Sequence, residues 1–319
     1  MRMRFSPLFI LLLFISSAAV FAIDVASPAP SPATVHLEPN AAIHLEFPDL
    51  PTTFYAQSTK HPVPAQLTAQ LPANYSKTGK YPVFVFLSGG NGGQGDLGAV
   101  KGVRNQIGNQ DYIALSLPLF RNPNATPATI PLPKVFPSDI PPATVAAMKT
   151  ARNGFMVTGD DYAAVGPAYA TMLKAFFDAV PNVDPDRSVI AGFSNGAHTI
   201  GALLGAKDAF ILAHFHSFAM VEGGNALVIQ GKDGLTPELK SHRYLFLYGE
   251  GSDAEKAKQP QLAAYRPIVM EILKQYVQDA QALGFDVTLV TMPNTGHDFP
   301  PQYRSEVKQW VLTGKVPAT

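Results

Sequence analysis

The chain has 319 residues, 46% hydrophobic and 15% charged, with a formal net charge of zero and no cysteine. That length and apolar content suit one large α/β domain with a substantial core, and the charge balance gives no basic excess for nucleic acid and no solvated acidic tail. The lack of cysteine excludes disulfides, cysteine catalysis, thiolate metal sites and iron–sulfur clusters.

Arg2 and Arg4 precede an apolar stretch from Leu8 to Ile15, and small residues follow from Ala18 to Ala22. This pattern predicts a secretory signal peptide over 1–22, too short for an ordinary membrane span. The expected location is therefore secreted or periplasmic, with no membrane attachment once the signal is removed. Ala-Ser-Pro-Ala-Pro-Ser-Pro-Ala then marks a flexible linker over 23–34, and one domain is expected from 35 to 319.

Alternating residues predict strands at His44–Phe47 and Ala65–Leu71. Tyr81 to Leu87 is a continuous apolar run, as expected of a strand buried on both faces of a parallel sheet. It ends in Ser88-Gly89-Gly90-Asn91-Gly92-Gly93-Gln94-Gly95-Asp96. Gly90 to Gly95 formally fits G-x-G-x-x-G, but a dinucleotide site needs an acid at the end of the next strand, and Tyr112–Leu117 ends in Ser116-Leu117-Pro118. Glycines after a strand instead suit an oxyanion loop, because they leave backbone N–H groups accessible.

Eight prolines lie between Pro118 and Pro142. Such density excludes regular helix or central strand and predicts an insertion at about 118–158 over one end of the sheet. Tyr162, Val165, Tyr169, Met172, Leu173 and Phe176 then recur at helical spacing.

The pivotal stretch follows. Ser188–Ala191 reads as a short buried strand, and the residues through Ile200, Leu203 and Leu204 read as a helix. Between them stands Gly192-Phe193-Ser194-Asn195-Gly196, a G-x-S-x-G motif. A serine on so sharp a turn exposes its hydroxyl, and side chains two residues to either side would collide. The helix N-terminus adds free N–H groups facing any negative charge that forms there.

Later strands are expected at His214–Val221, Tyr244–Tyr248 and Asp286–Thr291, with helices at Ile268–Leu283 and Tyr303–Leu312; Trp310 should pack on the sheet. Strands alternating with helices predict one open, mostly parallel sheet. A serine needs a base, and the base a third group that orients it. Reacting groups in such sheets gather at the strands' carboxyl ends. His297 lies beyond the last strand and Asp253 beyond the preceding one, so Ser194, Asp253 and His297 are expected as nucleophile, acid and base. Glu250 is the nearest rival acid and Glu222 the next. Asp298 should make local turn bonds. His198, one turn after Ser194, should be a packed histidine. His214 and His216 share a strand face but lack an evident third ligand, so no metal is expected.

The chain resembles the α/β-hydrolase superfamily, and within it the exported esterases similar to poly(3-hydroxybutyrate) depolymerases and feruloyl esterases. The likeness is carried by Leu71-Pro72-Ala73-Asn74-Tyr75 with Lys80-Tyr81-Pro82-Val83, the Ser88–Gly93 loop, Val183-Asp184-Pro185-Asp186-Arg187, Gly192–Ala197, and Gly296-His297-Asp298-Phe299-Pro300. The resemblance implies an α/β-hydrolase fold with helices on both faces, an acyl-enzyme on Ser194, oxyanion donors at Gly90 and Asn195, no cofactor, and a small-molecule or polymer ester substrate. A serine peptidase of the same fold and a non-catalytic binding protein are the alternatives. Two departures stand out. Ser88 occupies a position usually held by histidine, and Gly249 lies four residues before Asp253 where the pattern has three, which keeps Glu250 in contention.

Overall fold

The computed structural model describes residues 35–50, 64–90, 92–107, 111–120, 128–129, 142–143, 145–146, 152–153, 162–258 and 260–316. The expected signal peptide, the linker and most of the proline-rich insertion lie outside these residues.

Eight strands form one sheet: β1 (Ala42–Phe47), β2 (Ala65–Gln70), β3 (Val83–Leu87), β4 (Ile113–Ser116), β7 (Val189–Phe193), β8 (Ser217–Val221), β9 (Arg243–Gly249) and β10 (Asp286–Met292). Their spatial order is β1-β2-β4-β3-β7-β8-β9-β10. β2 runs antiparallel to both its neighbours; every other pairing is parallel. Two short strands, β5 (Ala128–Thr129) and β6 (Arg152–Asn153), pair antiparallel within the insertion.

The apolar strands bury both faces. On one face Phe84, Ala114, Val189, Ala191, Ala219, Val221, Leu245 and Leu247 meet helices α1 (Leu97–Ile107) and α8 (Pro301–Thr313). The alternate residues Val83, Val85, Ile113, Leu115, Ile190, Phe218, Met220 and Phe246 face the opposite way. They pack with α2 (Tyr162–Ala179), α3 (Asn195–Gly205) and α7 (Pro260–Ala282). This period of two, repeated on neighbouring strands, produces the two helical layers. Trp310 is fully buried on α8 as expected, with the Arg243 guanidinium 4.7 Å above its ring.

Three elements differ from expectation. Leu97–Ile107 forms a helix, because Val100, Val103 and Ile107 make an apolar stripe after the glycine loop. His214 closes a separate helix, α4 (Ala209–His214), so it does not share a strand face with His216. α7 begins at Pro260, not Ile268, and carries Pro267 internally on its exposed side. A proline inside a helix removes one hydrogen bond but need not end it, so Pro267 is a misleading boundary marker. Short helices α5 (Asn225–Val228) and α6 (Asp253–Lys258) follow β8 and β9. Phe120 is buried edge-on against Tyr169, which fastens the start of the insertion to α2.

Candidate active site

β7 delivers Ser194 into a tight turn before α3. Its backbone has φ 53° and ψ −119°, a strained conformation for a residue other than glycine. The Ser194 amide donates to the Val221 carbonyl at 2.8 Å, which ties the turn to the end of β8. A Cβ on Gly192 would lie 2.7 Å from the Gly196 backbone, and one on Gly196 would strike the Leu87 carbonyl of β3. The expected collisions are thus real, although the second involves the neighbouring strand.

His297 comes from the loop after β10. Its Nε2 is 2.8 Å from Ser194 Oγ. Its Nδ1 is 3.0 Å from Oε2 of Glu222, not from an oxygen of Asp253. The Asp253 side chain is 95% exposed and pairs with Lys256 at 3.1 Å. It is the first residue of α6, where a carboxylate faces water at a helix N-terminus. Glu250 is also exposed, its amide donating to Met292. Both expected acids are therefore away from His297, and the third-ranked candidate is in contact.

Glu222 reaches His297 because β8 is the immediate neighbour of β7. Its own φ is 56°. The following Gly223 packs so closely on the Ser194 turn that a Cβ there would lie 2.8 Å from the Ser194 carbonyl oxygen. The Glu222 side chain is only 1% exposed. Its Oε1 accepts from the Gly249 amide at 2.6 Å and from Arg266 at 3.1 Å, while Oε2 lies 2.9 Å from the other Arg266 amino nitrogen.

Arg266, on α7, is itself 1% exposed. It also forks onto Glu255 of α6 through two bonds of 2.5 and 2.7 Å. Glu255 Oε1 in turn accepts the His297 backbone N–H at 3.0 Å. The Arg266 hydrogen bonds hold the Glu255 carboxyl below the usual range. Burial alone would depress the guanidinium, but its bonds to Glu255 and Glu222 outweigh that and raise it. With a neutral His297, two carboxylates and one guanidinium leave one net negative charge beside the imidazole.

Phe193 and Phe299 flank this centre, with the Phe193 ring 5.2 Å from the His297 ring and 6.4 Å from that of Phe299. As expected, Asp298 makes a local turn bond, to the Phe299 amide at 2.7 Å. His297 also lines a cavity of about 650 Å³ whose walls are 252–255, Lys258, 294–298 and Pro300.

In the glycine loop after β3, Gly90 adopts φ 61° and its carbonyl accepts the Asn195 side-chain amide at 2.8 Å. A Cβ on Gly89 would meet the Phe193 ring and the Ser194 Cβ, so this loop lies against the Ser194 turn. Asn195 is the first residue of α3, so its backbone N–H has no partner within the helix. Asn195 and Gly90 are thus brought together beside Ser194. Two further glycines of this loop serve packing: Gly92 would collide with Leu119, and Gly95 with the Gln66 carbonyl. Among the described residues no His/Cys/Asp/Glu group is arranged to hold a metal, and no helix is long and apolar enough to cross a membrane.

His198 is half-buried one turn after Ser194, and its Nδ1 is buried with no hydrogen-bond partner among the described residues. Desolvation first, and repulsion from His297 second, depress it to about 4. A histidine that titrates lower in the folded than in the unfolded chain contributes stability fully present above about pH 6.5 and lost as pH falls toward 4. Wild-type protein should lose on the order of 1–3 kcal/mol over that window from this group. His198→Gln should flatten the decline, as read by urea unfolding at pH 7, 5.5 and 4.5.

The strand order, the single antiparallel β2 and the serine elbow between β7 and α3 decide the architecture. The fold is that of an α/β-hydrolase. No protein-family model and no curated protein sequence matches the chain. Solved structures similar to this hydrolase fold include a thermostable esterase, 13% identical with a TM-score of 0.48, the match covering 85% of this chain and 62% of that one. Another is a Bacteroides ovatus protein assigned as a dipeptidyl aminopeptidase IV, 12% identical with a TM-score of 0.45, covering 86% of this chain and 35% of that one. A third is Thermogutta terrifontis esterase 2 phosphonylated by cyclosarin, 14% identical with a TM-score of 0.47, covering 86% and 98%. The chain thus spans less than two thirds of the first two. At such identities and TM-scores the likeness says nothing of activity or substrate.

Proposed function

We propose that the protein is an exported serine hydrolase that cleaves carboxylic esters through an acyl-enzyme on Ser194. The observation that carries this is the continuous chain Ser194 Oγ, His297 Nε2, His297 Nδ1, Glu222 Oε2, with links of 2.8 and 3.0 Å. In this mechanism Ser194 Oγ attacks the ester carbonyl carbon as His297 Nε2 takes the hydroxyl proton. Glu222 holds the imidazole with its Nδ1–H directed inward and stabilises the imidazolium. The Gly90 and Asn195 backbone N–H groups receive the oxyanion, with the Asn195 side chain clasping the Gly90 carbonyl to keep the two donors in register. His297 then protonates the departing alcohol. Water, deprotonated by the same ring, releases the acid. No cofactor takes part, and export is supported by the signal-like pattern over 1–22.

The test is hydrolysis of a p-nitrophenyl ester series, acetate through octanoate, by mature protein and by Ser194→Ala. Turnover by the first and none by the second is expected, and the series also reports the acyl-length preference. Folded protein that turns over peptide p-nitroanilides but none of the esters would overturn the ester assignment in favour of a peptidase with the same groups.

A further inference from the structure

The buried charges beside the proposed triad do more than fill space. His297 is gripped from two directions by carboxylates, Glu222 at its Nδ1 and Glu255 at its backbone N–H, and one guanidinium joins those carboxylates. Arg266 also donates to the Gly249 carbonyl at 3.1 Å and stacks over the Tyr248 ring at 5.2 Å, so its fork is fixed on every side.

We propose that Arg266 and Glu255 are positioning residues that act on His297 as a compensated pair: Arg266 immobilises the Glu222 carboxylate, and Glu255 cancels the guanidinium's charge so that Glu222 still supports a positive imidazole. The inference rests on the Ser194–His297–Glu222 assignment. It explains why an acid bonded to arginine can serve a base at all. An unopposed guanidinium at this site would repel the imidazolium and weaken the base; a second carboxylate on its far edge restores the balance. The pair also locks α6 and α7 to the loop that carries His297.

Other charged groups face the ring from each side. His198 on α3 is held to about 4 by burial and by the His297 charge, so it is neutral above that pH and sets no charge against the ring. Asp298 follows it and is engaged by the Phe299 amide. Asp253 and Lys258 line the cavity beside it and are exposed, so water screens them. Glu255 and Arg266 are the desolvated ones and should dominate.

The test is NMR titration of the His297 ring in the mature protein, using the resonance that His297→Gln deletes, together with kcat for p-nitrophenyl acetate. Glu255→Gln keeps an oxygen for the His297 amide but removes a negative charge, and should lower the titration midpoint of His297 by about one pH unit. The double variant Glu255→Gln/Arg266→Met removes both charges and should return the midpoint close to wild type. An unmoved midpoint in folded Glu255→Gln would overturn the proposal. So would a double variant whose midpoint falls below that of the single, since a purely structural role makes the double the more disrupted. Should the double variant not fold, Arg266→Lys takes its place. A wild-type midpoint with reduced kcat supports the pair, and a shift as large as that of Glu255→Gln contradicts it. The titration needs no substrate. Wild-type protein inert toward esters would therefore defeat the functional assignment alone, whereas an active enzyme with an unmoved midpoint would defeat the pair alone.

Discussion

Glu222→Gln should lower kcat for ester hydrolysis by about 10³–10⁴-fold, while Asp253→Asn should stay within about twofold of wild type. The amide keeps the volume of the carboxylate but can no longer both accept the His297 Nδ1–H and balance the imidazolium charge. The ring then loses its preferred tautomer as well as its electrostatic support. Asp253 points into water and holds only an exposed lysine, a contact with little effect on stability or rate. Steady-state kinetics of the two variants, with circular dichroism to confirm folding, separates them cleanly. A Glu222→Gln enzyme within about twofold of wild type, with the large loss in Asp253→Asn instead, would mean that the 3.0 Å contact between Glu222 and His297 is not the functional one.

Arg266→Ala should be the most destabilising single substitution away from the apolar core, at roughly 3–5 kcal/mol, lowering Tm by about 10 °C. The cost arises from what remains. Glu222 and Glu255, 1% and 6% exposed, would be left as neighbouring carboxylates without their shared partner. Lysine should recover only part of the loss, because one ammonium has no fork to span both acids. Lys174→Ala breaks a pair of which both members are about two-thirds exposed, and should change stability by less than about 0.5 kcal/mol. Thermal unfolding of the three variants gives the comparison. An Arg266→Ala protein as stable as Lys174→Ala would mean that the buried network carries no net weight.

Much of the fold is legible in the chain because its strands are apolar on both faces and short, as in Val83–Leu87 and Ser217–Val221. The proposed nucleophile, Ser194, is legible for a local reason. The steric needs of the elbow are met within Gly192 to Gly196, and the two glycines sit where a side chain would strike backbone. His297 is legible because it follows the last strand in a glycine-marked turn.

The acid is harder to read, because its identity depends on which strands are neighbours and not on order along the chain. Asp253 has the expected place in sequence. β8, however, lies directly beside β7, and the turn at Glu222-Gly223-Gly224 packs onto the Ser194 elbow. One signal was available: Glu222 directly follows the apolar run Phe218–Val221 and precedes two glycines, an unfavourable burial for a carboxylate without a purpose. Arg266 was hidden by its neighbour. Pro267 marks a false helix start and leaves the arginine in apparent loop, whereas α7 runs through it and turns Arg266 inward. Glu255 has no sequence signal of its own. Its role exists only once α6, α7 and the His297 loop are brought together.

The most direct measurement is covalent: mature protein and its Ser194→Ala and His297→Gln variants are exposed to a fluorophosphonate, then digested and the modified peptide identified by mass spectrometry. One equivalent of phosphonyl group on Ser194, none in Ser194→Ala and greatly slowed labelling in His297→Gln is the predicted result. Wild-type protein that is folded yet unlabelled, or labelled at any residue other than Ser194, would contradict the central claim that Ser194 is an activated nucleophile.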